Sequence, residues 1–121
     1  MKLIIAGGRD ATYFNVLTAI EECESTGPFN PYDVHEVVCG CAKGADMAGN
    51  RWATLNGIPV VYFHPDWEGD GKAAGHIRNR KMGDYATHLL AVWDGKSKGT
   101  KGMIEYATKK GLVVYVHRYT S

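Results

Sequence analysis

The stretch "KLIIAGGRD", residues 2–10, decides the fold. Lys2 to Ala6 is a short apolar run closed by Gly7-Gly8, and it reads as a buried strand. Directly behind it, Tyr13, Val16, Leu17, Ile20 and Cys23 recur at helical spacing and predict an amphipathic helix over residues 13–25. A strand that turns through two glycines into a helix is the opening unit of an α/β domain.

The alternation continues along the chain. "STGPFNPYD", residues 25–33, is dense in turn formers and predicts a loop. Val34 to Cys39 reads as a second strand stopped by Gly40. Ala45, Ala48, Trp52 and Leu55 mark a second helix, with Gly57 in the place of a C-terminal cap. "PVVYF", residues 59–63, is a third strand; a loop over 64–72 and a weakly patterned helix over about 72–85 follow. "HLLAVW", residues 88–93, is a fourth strand and "LVVYVH", residues 112–117, a fifth. Between them residues 100–110 are helical, with Lys109 and Lys110 in the last turn and Gly111 beyond. Apolar strands alternating with helices predict an α/β fold: a Rossmann-like three-layer sandwich with a five-stranded, mostly parallel sheet. The 121 residues read as one domain, 1–121, without an internal repeat or linker.

Composition excludes several classes of function. A net charge of +1 gives no electrostatic basis for a nucleic-acid coat or a membrane-surface protein. No apolar run approaches the roughly 20 residues of a membrane span. The first ten residues leave no room for the apolar core and cleavage site of a signal peptide. Cys23, Cys39 and Cys41 form neither a disulfide framework nor a CxxC pair. Cys39-Gly-Cys41 lacks His or carboxylate partners at ligand spacing, so buried thiols are expected and no metal. The expected compartment is the cytoplasm.

Glycine is the exception in this composition, at 15 of 121 residues, against an average near 7%. Three polar, Gly-rich segments each follow a strand and precede a helix: Gly7-Gly8-Arg9-Asp10, Gly40 to Asp46, and Asp94 to Gly102. In a parallel sheet these loops share one rim, where ligands of open α/β sheets bind. Glycines let backbone amides approach an anion, and each following helix offers unpaired N–H groups. Arg9, Asp10, Lys43, Asp46, Ser97 and Thr100 stand among them. Together the three loops predict a cradle for a phosphate or nucleotide.

Two familiar nucleotide motifs fail. Gly95-Lys96-Ser97 would end a P-loop, but the glycine needed five residues earlier is Leu90, inside a strand. "GGRDAT" stands after the first strand where GxGxxG would bind NAD or FAD, so no such cofactor is expected. Arg78 and Asn79 lie where the segment before the fourth strand reaches the same rim. Arg78 offers a bidentate fork for phosphate, Asn79 a hydrogen-bonding partner for base or ribose, and Trp67 a stacking face. The five histidines show no ligand spacing, and His76, the one near the rim, reads as a surface residue. No Ser/His/Asp triad or carboxylate dyad is present in the pattern.

"GGRD" at 7–10, "GCAKGADMAGNRWA" at 40–53, "HPDW" at 64–67, "GKAAGHIRNRKM" at 71–82 and "SKGT" at 97–100 are, in order and spacing, similar to the small YspA-like branch of the SLOG superfamily. The resemblance runs from Leu3 to about Val114. It implies a Rossmann-like fold and a nucleotide or nucleotide-derived ligand. By position it implies ligand contacts from Gly7, Gly8, Arg9, Gly40, Lys43, Gly44, Asp46, Arg78, Asn79, Ser97, Gly99 and Thr100. More distantly it implies kinship with the lonely-guy phosphoribohydrolases, which carry PGGxGTxxE with a catalytic Glu and an Arg matched here by Arg78. Gly99-Thr100 match that motif, but Met103 stands at the Glu position. Glu105 comes two residues late, about 200° around a helix.

Three functions fit these residues. The first is binding or sensing of a phosphorylated, nucleotide-type ligand. The second is hydrolysis of an N-glycosidic bond in a nucleoside monophosphate or related nucleotide. That chemistry needs a carboxylate to stabilise positive charge on ribose and activate water, and Asp10, Asp46 and Asp94 are the candidates. The third, single-stranded nucleic-acid binding, is disfavoured by the near-zero charge. Pairing of two copies is what related proteins suggest.

Overall fold

A computed structural model describes residues 1–120. The five strands are β1 (Lys2–Gly7), β2 (Glu36–Cys39), β3 (Val60–Tyr62), β4 (His88–Trp93) and β5 (Val113–Arg118). The helices are α1 (Tyr13–Thr26), α2 (Ala45–Leu55), the single turn α3 (Trp67–Asp70), α4 (Ala74–Tyr85) and α5 (Lys98–Lys109). All four strand pairings are parallel, in the order β3-β2-β1-β4-β5. The expected Rossmann-like α/β sandwich is therefore the observed one, with an entirely parallel sheet.

Both sheet faces are covered, which explains why β1 and β4 are apolar at every central position. Leu3, Ile5, Leu90 and Val92 pack with Val16, Ile20 and Trp52 from α1 and α2. The alternate residues Ile4, Ala6, Leu89 and Ala91 pack with Met82 of α4 and with Met103 and Ala107 of α5. Two helices per face thus follow from a period of two along each central strand.

Local chemistry sets the helix ends. Thr12 accepts the Asn15 N–H at 3.1 Å while the Asn15 side chain accepts the Thr12 N–H at 2.8 Å, a reciprocal cap that starts α1. Past the end of α2, Gly57 and Ile58 donate to Thr54 and Ala53, which terminates the helix where the sequence suggested. Several boundaries differ from expectation by one or two residues, and two differences have a clear local cause. Val34 and His35 precede β2, because the Val34 N–H closes a 3-10 turn onto Pro31 and the His35 N–H donates to Met1. The stretch 64–72 is not all loop: the Asp66 side chain accepts the Gly69 N–H at 3.0 Å and starts α3.

Gly49 is a close-packing position in the middle of α2. A Cβ there would lie 2.7 Å from Ile5 Cγ2 and 2.8 Å from Ile5 Cβ, which are fixed in the core. In an open helix, Gly→Ala stabilises by about 1 kcal/mol. Here overpacking of about 1–3 kcal/mol opposes that gain. Gly49→Ala should therefore lower the urea midpoint without abolishing folding; an unchanged or raised midpoint would show that α2 is free to shift.

Candidate functional site

In the middle of the sheet β1 has β2 on one side and β4 on the other. The chain leaves β1 toward α1 on one face and leaves β4 toward α5 on the opposite face. The divergence opens a crevice at the carboxyl ends of these two strands. It holds a cleft of about 310 Å³. Ala6, Gly7 and Met103 border it from the sheet and α5; Ser97, Gly99 and Thr100 come from the start of α5. Trp67, Lys72, Gly75, His76, Arg78 and Asn79 come from α3, the turn after it and α4. Arg9, Ala42 and Asp46 complete the lining.

The loops after β1 and β2 are locked together behind the cleft. The Gly8 carbonyl accepts N–H groups from Ala45 at 3.1 Å and Ala11 at 3.3 Å, while the Gly8 N–H donates to Val92 of β4 at 3.1 Å. Gly44 begins α2 at φ +78°, and a Cβ there would lie 2.3 Å from the Gly8 oxygen. Only glycine satisfies both that backbone conformation and that contact.

Arg78 joins α4 to the same rim. One of its terminal N–H groups donates to the Gly40 carbonyl, and its Nε–H donates to Asn79 Oδ1 at 2.8 Å. Gly40 is where this guanidinium and Asp46 meet the backbone: a Cβ would lie 2.7 Å from Asp46 Oδ2 and 3.1 Å from Arg78 Nη1. Asp46 is 4% exposed and accepts the Ala42 N–H at 3.2 Å. Burial raises its pKa to about 6, opposed by the Ala42 amide, the Arg78 charge and the Gly7 amide. A carboxyl group that is half-protonated only near pH 6 thus lines a cleft that also holds Arg9, Lys72 and Arg78.

Among the residues expected from sequence, Gly7, Arg9, Asp46, Trp67, Arg78, Asn79, Ser97, Gly99 and Thr100 all line this cleft. Gly8, Gly40 and Gly44 stand behind the lining and hold it in shape. Lys43 is exposed and does not line it. Two of the three candidate carboxylates are occupied elsewhere. Asp10 accepts the Tyr119 hydroxyl. Asp94 accepts the Lys96 and Ser97 N–H groups, each at 2.8 Å, and borders a separate depression with Arg118 and Tyr119. Hydrogen bonds donated by the Ser97 and Lys96 backbone N–H groups keep the Asp94 carboxyl below its ordinary range. Glu105 is exposed on α5, whereas Met103 points its buried side chain to the cleft.

Lys72, Gly75 and His76 line the cleft as well, although His76 reads from sequence as a surface residue and Lys72 carries no expected role. With Asn79 they recur every three or four residues, the signature of one helical face that the weak hydrophobic pattern of this segment concealed.

Residues 1–69 match the family described as YspA, cpYpsA-related SLOG family, which covers more than half of the chain. The Gene 61 protein of Mycobacterium phage D29 is 37% identical over 92 residues, spanning 70% of this chain and 72% of the phage protein. No solved structure gives a significant match. A parallel α/β domain with its crevice at the β1/β4 switch point defines the Rossmann-like class. Within it, the chain belongs to the YspA, cpYpsA-related SLOG family.

Burial of Asp46 has a consequence for stability. Its folded-state pKa of about 6 exceeds the ordinary 3.8, so the native state holds the proton more tightly. Stability from this group is fully present below pH 3.8 and declines as pH rises to about 6, where the cost of the buried charge is reached. Asp46→Asn removes that cost. Thermal unfolding should show the variant more stable than the parent at pH 8, by up to about 3 kcal/mol, and without that advantage at pH 4. A pH-independent difference would contradict the assignment.

Proposed function

We propose that this protein binds a phosphorylated, nucleotide-type small molecule in the cleft between α4 and α5, as a binding or sensing module. The observation that carries this reading is convergence on one cleft of cations, accessible backbone and an aromatic face. Arg78 is held by Gly40 and Asn79 in a fixed orientation, as a phosphate-binding fork requires. Ser97 caps the Thr100 N–H, and the space beside Gly99 is open where a Cβ would be, so the first turn of α5 is reachable from the cleft. The positive end of a helix favours an anion there. Trp67, 54% exposed at the mouth, offers a face for a base. Family membership supports a nucleotide-related ligand without specifying which.

Asp46 supports a second reading, hydrolysis of a nucleotide N-glycosidic bond. A cleft carboxyl with a pKa near 6 suits proton exchange with water or a leaving base. Against this, Met103 occupies the place of the glutamate that related hydrolases use, and Glu105 is directed elsewhere. The balance favours binding. Release of free base from nucleoside monophosphates, abolished in Asp46→Asn, would reverse that balance.

Calorimetric titration of ribonucleoside mono- and diphosphates tests the main reading, with saturable binding to at least one expected. Arg78→Lys keeps the charge and loses the planar fork, and should weaken that binding about tenfold or more. Absence of heat for every nucleotide at millimolar concentration would reject nucleotide binding.

A further inference from the structure

Parallel pairing of β2 with β3 sets Cys39 opposite Tyr62, so the residues two further along each strand direction, Cys41 and His64, emerge side by side. There the Cys41 Sγ lies 3.8 Å from His64 Nε2. Neither residue lines the cleft, and of the stretch HPDW only Trp67 does. Cys41 has φ +65°, a conformation that favours glycine, and no other non-glycine residue among those described adopts it. A thiol thus stands where the backbone suits glycine, and it meets an imidazole.

The imidazole is itself oriented. The Tyr62 ring stacks on it with centroids 6.3 Å apart, and the Tyr62 hydroxyl donates to Asn50 Oδ1 at 2.7 Å. Cys41 is half-buried and His64 exposed, so small solutes reach the pair. The other titratable and charged groups packed around Gly40 to Ala42 are Cys39 of β2, Asp46 of α2 and Arg78 of α4. Asp46 is taken by the Ala42 N–H and Arg78 by the Gly40 carbonyl, so among the described residues only His64 offers the Cys41 sulfur a base. The remaining thiols differ: burial pushes Cys23 up to about 11 and Cys39 up to about 12. Among the described residues no third His, Cys, Asp or Glu completes a metal site with the pair.

A thiol within reach of an oriented base is the arrangement of an activated nucleophile. We propose that Cys41 and His64 form a peroxide-reactive pair, a redox modification site at the end of β2 that does not depend on what the cleft binds. His64 Nε2 takes the Cys41 proton, and the thiolate sulfur forms a bond to one oxygen of hydrogen peroxide. The O–O bond breaks; sulfur is oxidised by two electrons to a sulfenic acid and the peroxide is reduced. The departing hydroxide takes the proton back from His64 and leaves as water. The modified residue lies between two backbone groups that shape the cleft, the Gly40 carbonyl that holds Arg78 and the Ala42 N–H that holds Asp46.

The full chain is treated with hydrogen peroxide and dimedone, which traps sulfenic acids, and adducts are located by peptide mass spectrometry. Cys41 should carry the adduct, with Cys23 and Cys39 unlabelled. At pH 7 native Cys41 should react about tenfold or more faster than the same residue in the urea-unfolded chain, which offers only the ordinary thiolate fraction. His64→Gln should slow native Cys41 by a similar factor at pH 7 and hardly at all near pH 10, where solvent removes the thiol proton unaided. Asp46, with its pKa of about 6, is ionised over most of that range and adds no step to it. The comparison with the unfolded chain uses the parent sequence, so it decides the matter even where the substitution disturbs the fold. Native Cys41 reacting no faster than unfolded Cys41, or a rate at pH 7 unmoved by His64→Gln, would overturn the assignment and leave the proposed ligand reading untouched.

Discussion

Everything about this molecule's crevice depends on β1 being paired on both edges, with β2 on one side and β4 on the other. A parallel sheet cannot be wound outward in both directions from a central strand without sending successive crossovers to opposite faces. The chain therefore parts above β1 and β4, and the gap cannot be closed by repacking while the strand order is kept. The glycines at its edge are consequences of that geometry. Gly7 abuts the Val92 carbonyl, Gly44 abuts the Gly8 carbonyl, and Gly40 leaves room for Arg78 and Asp46.

Polar groups at the rim are divided between holding and facing. The holding set consists of the Gly8 amide and carbonyl, the Gly40 carbonyl, Asp10 and Asp94, all spent on internal hydrogen bonds. The facing set combines the cations Arg9, Lys72 and Arg78 with neutral Asn79, Ser97 and Thr100 and one acid, Asp46, whose charge is disfavoured by burial more than its amide partners and Arg78 favour it. Electrostatics of the cleft thus includes a carboxyl that changes its charge around pH 6 and not in the ordinary carboxylate range. Loss of its proton would weaken the attraction for an anion at the moment the surroundings become more basic.

Much of this was legible in the sequence. Helix starts and stops, the apolar strands and the shared rim followed from period, capping residues and glycine placement, since those signals are local. Arg78 and Asn79 were found because they sit in a polar segment beside glycine. What the sequence obscured required three dimensions. Asp10, Asp46 and Asp94 looked equivalent as acids in rim loops. Which one faces the cleft depends on Tyr119, more than a hundred residues from Asp10, and on an Asx turn over Asp94 to Ser97. Lys72 carried no role and His76 read as a surface residue because a polar helix face has no hydrophobic counterpart strong enough to set its phase. The one-turn helix α3 was missed for a related reason: four residues are too few for periodicity to register.

The bond between Tyr119 and Asp10 also ties together two distant parts of the sequence. Tyr119 fills the space above Gly8, where burial, first, and the neighbouring Asp10 keep its phenol protonated. β1 meanwhile takes β4 as a neighbour through residues some 85 positions away, as between Lys2 and Thr87. Both contacts join residues far apart in the sequence, so the crevice is closed by pairings of high contact order, which are slow to form.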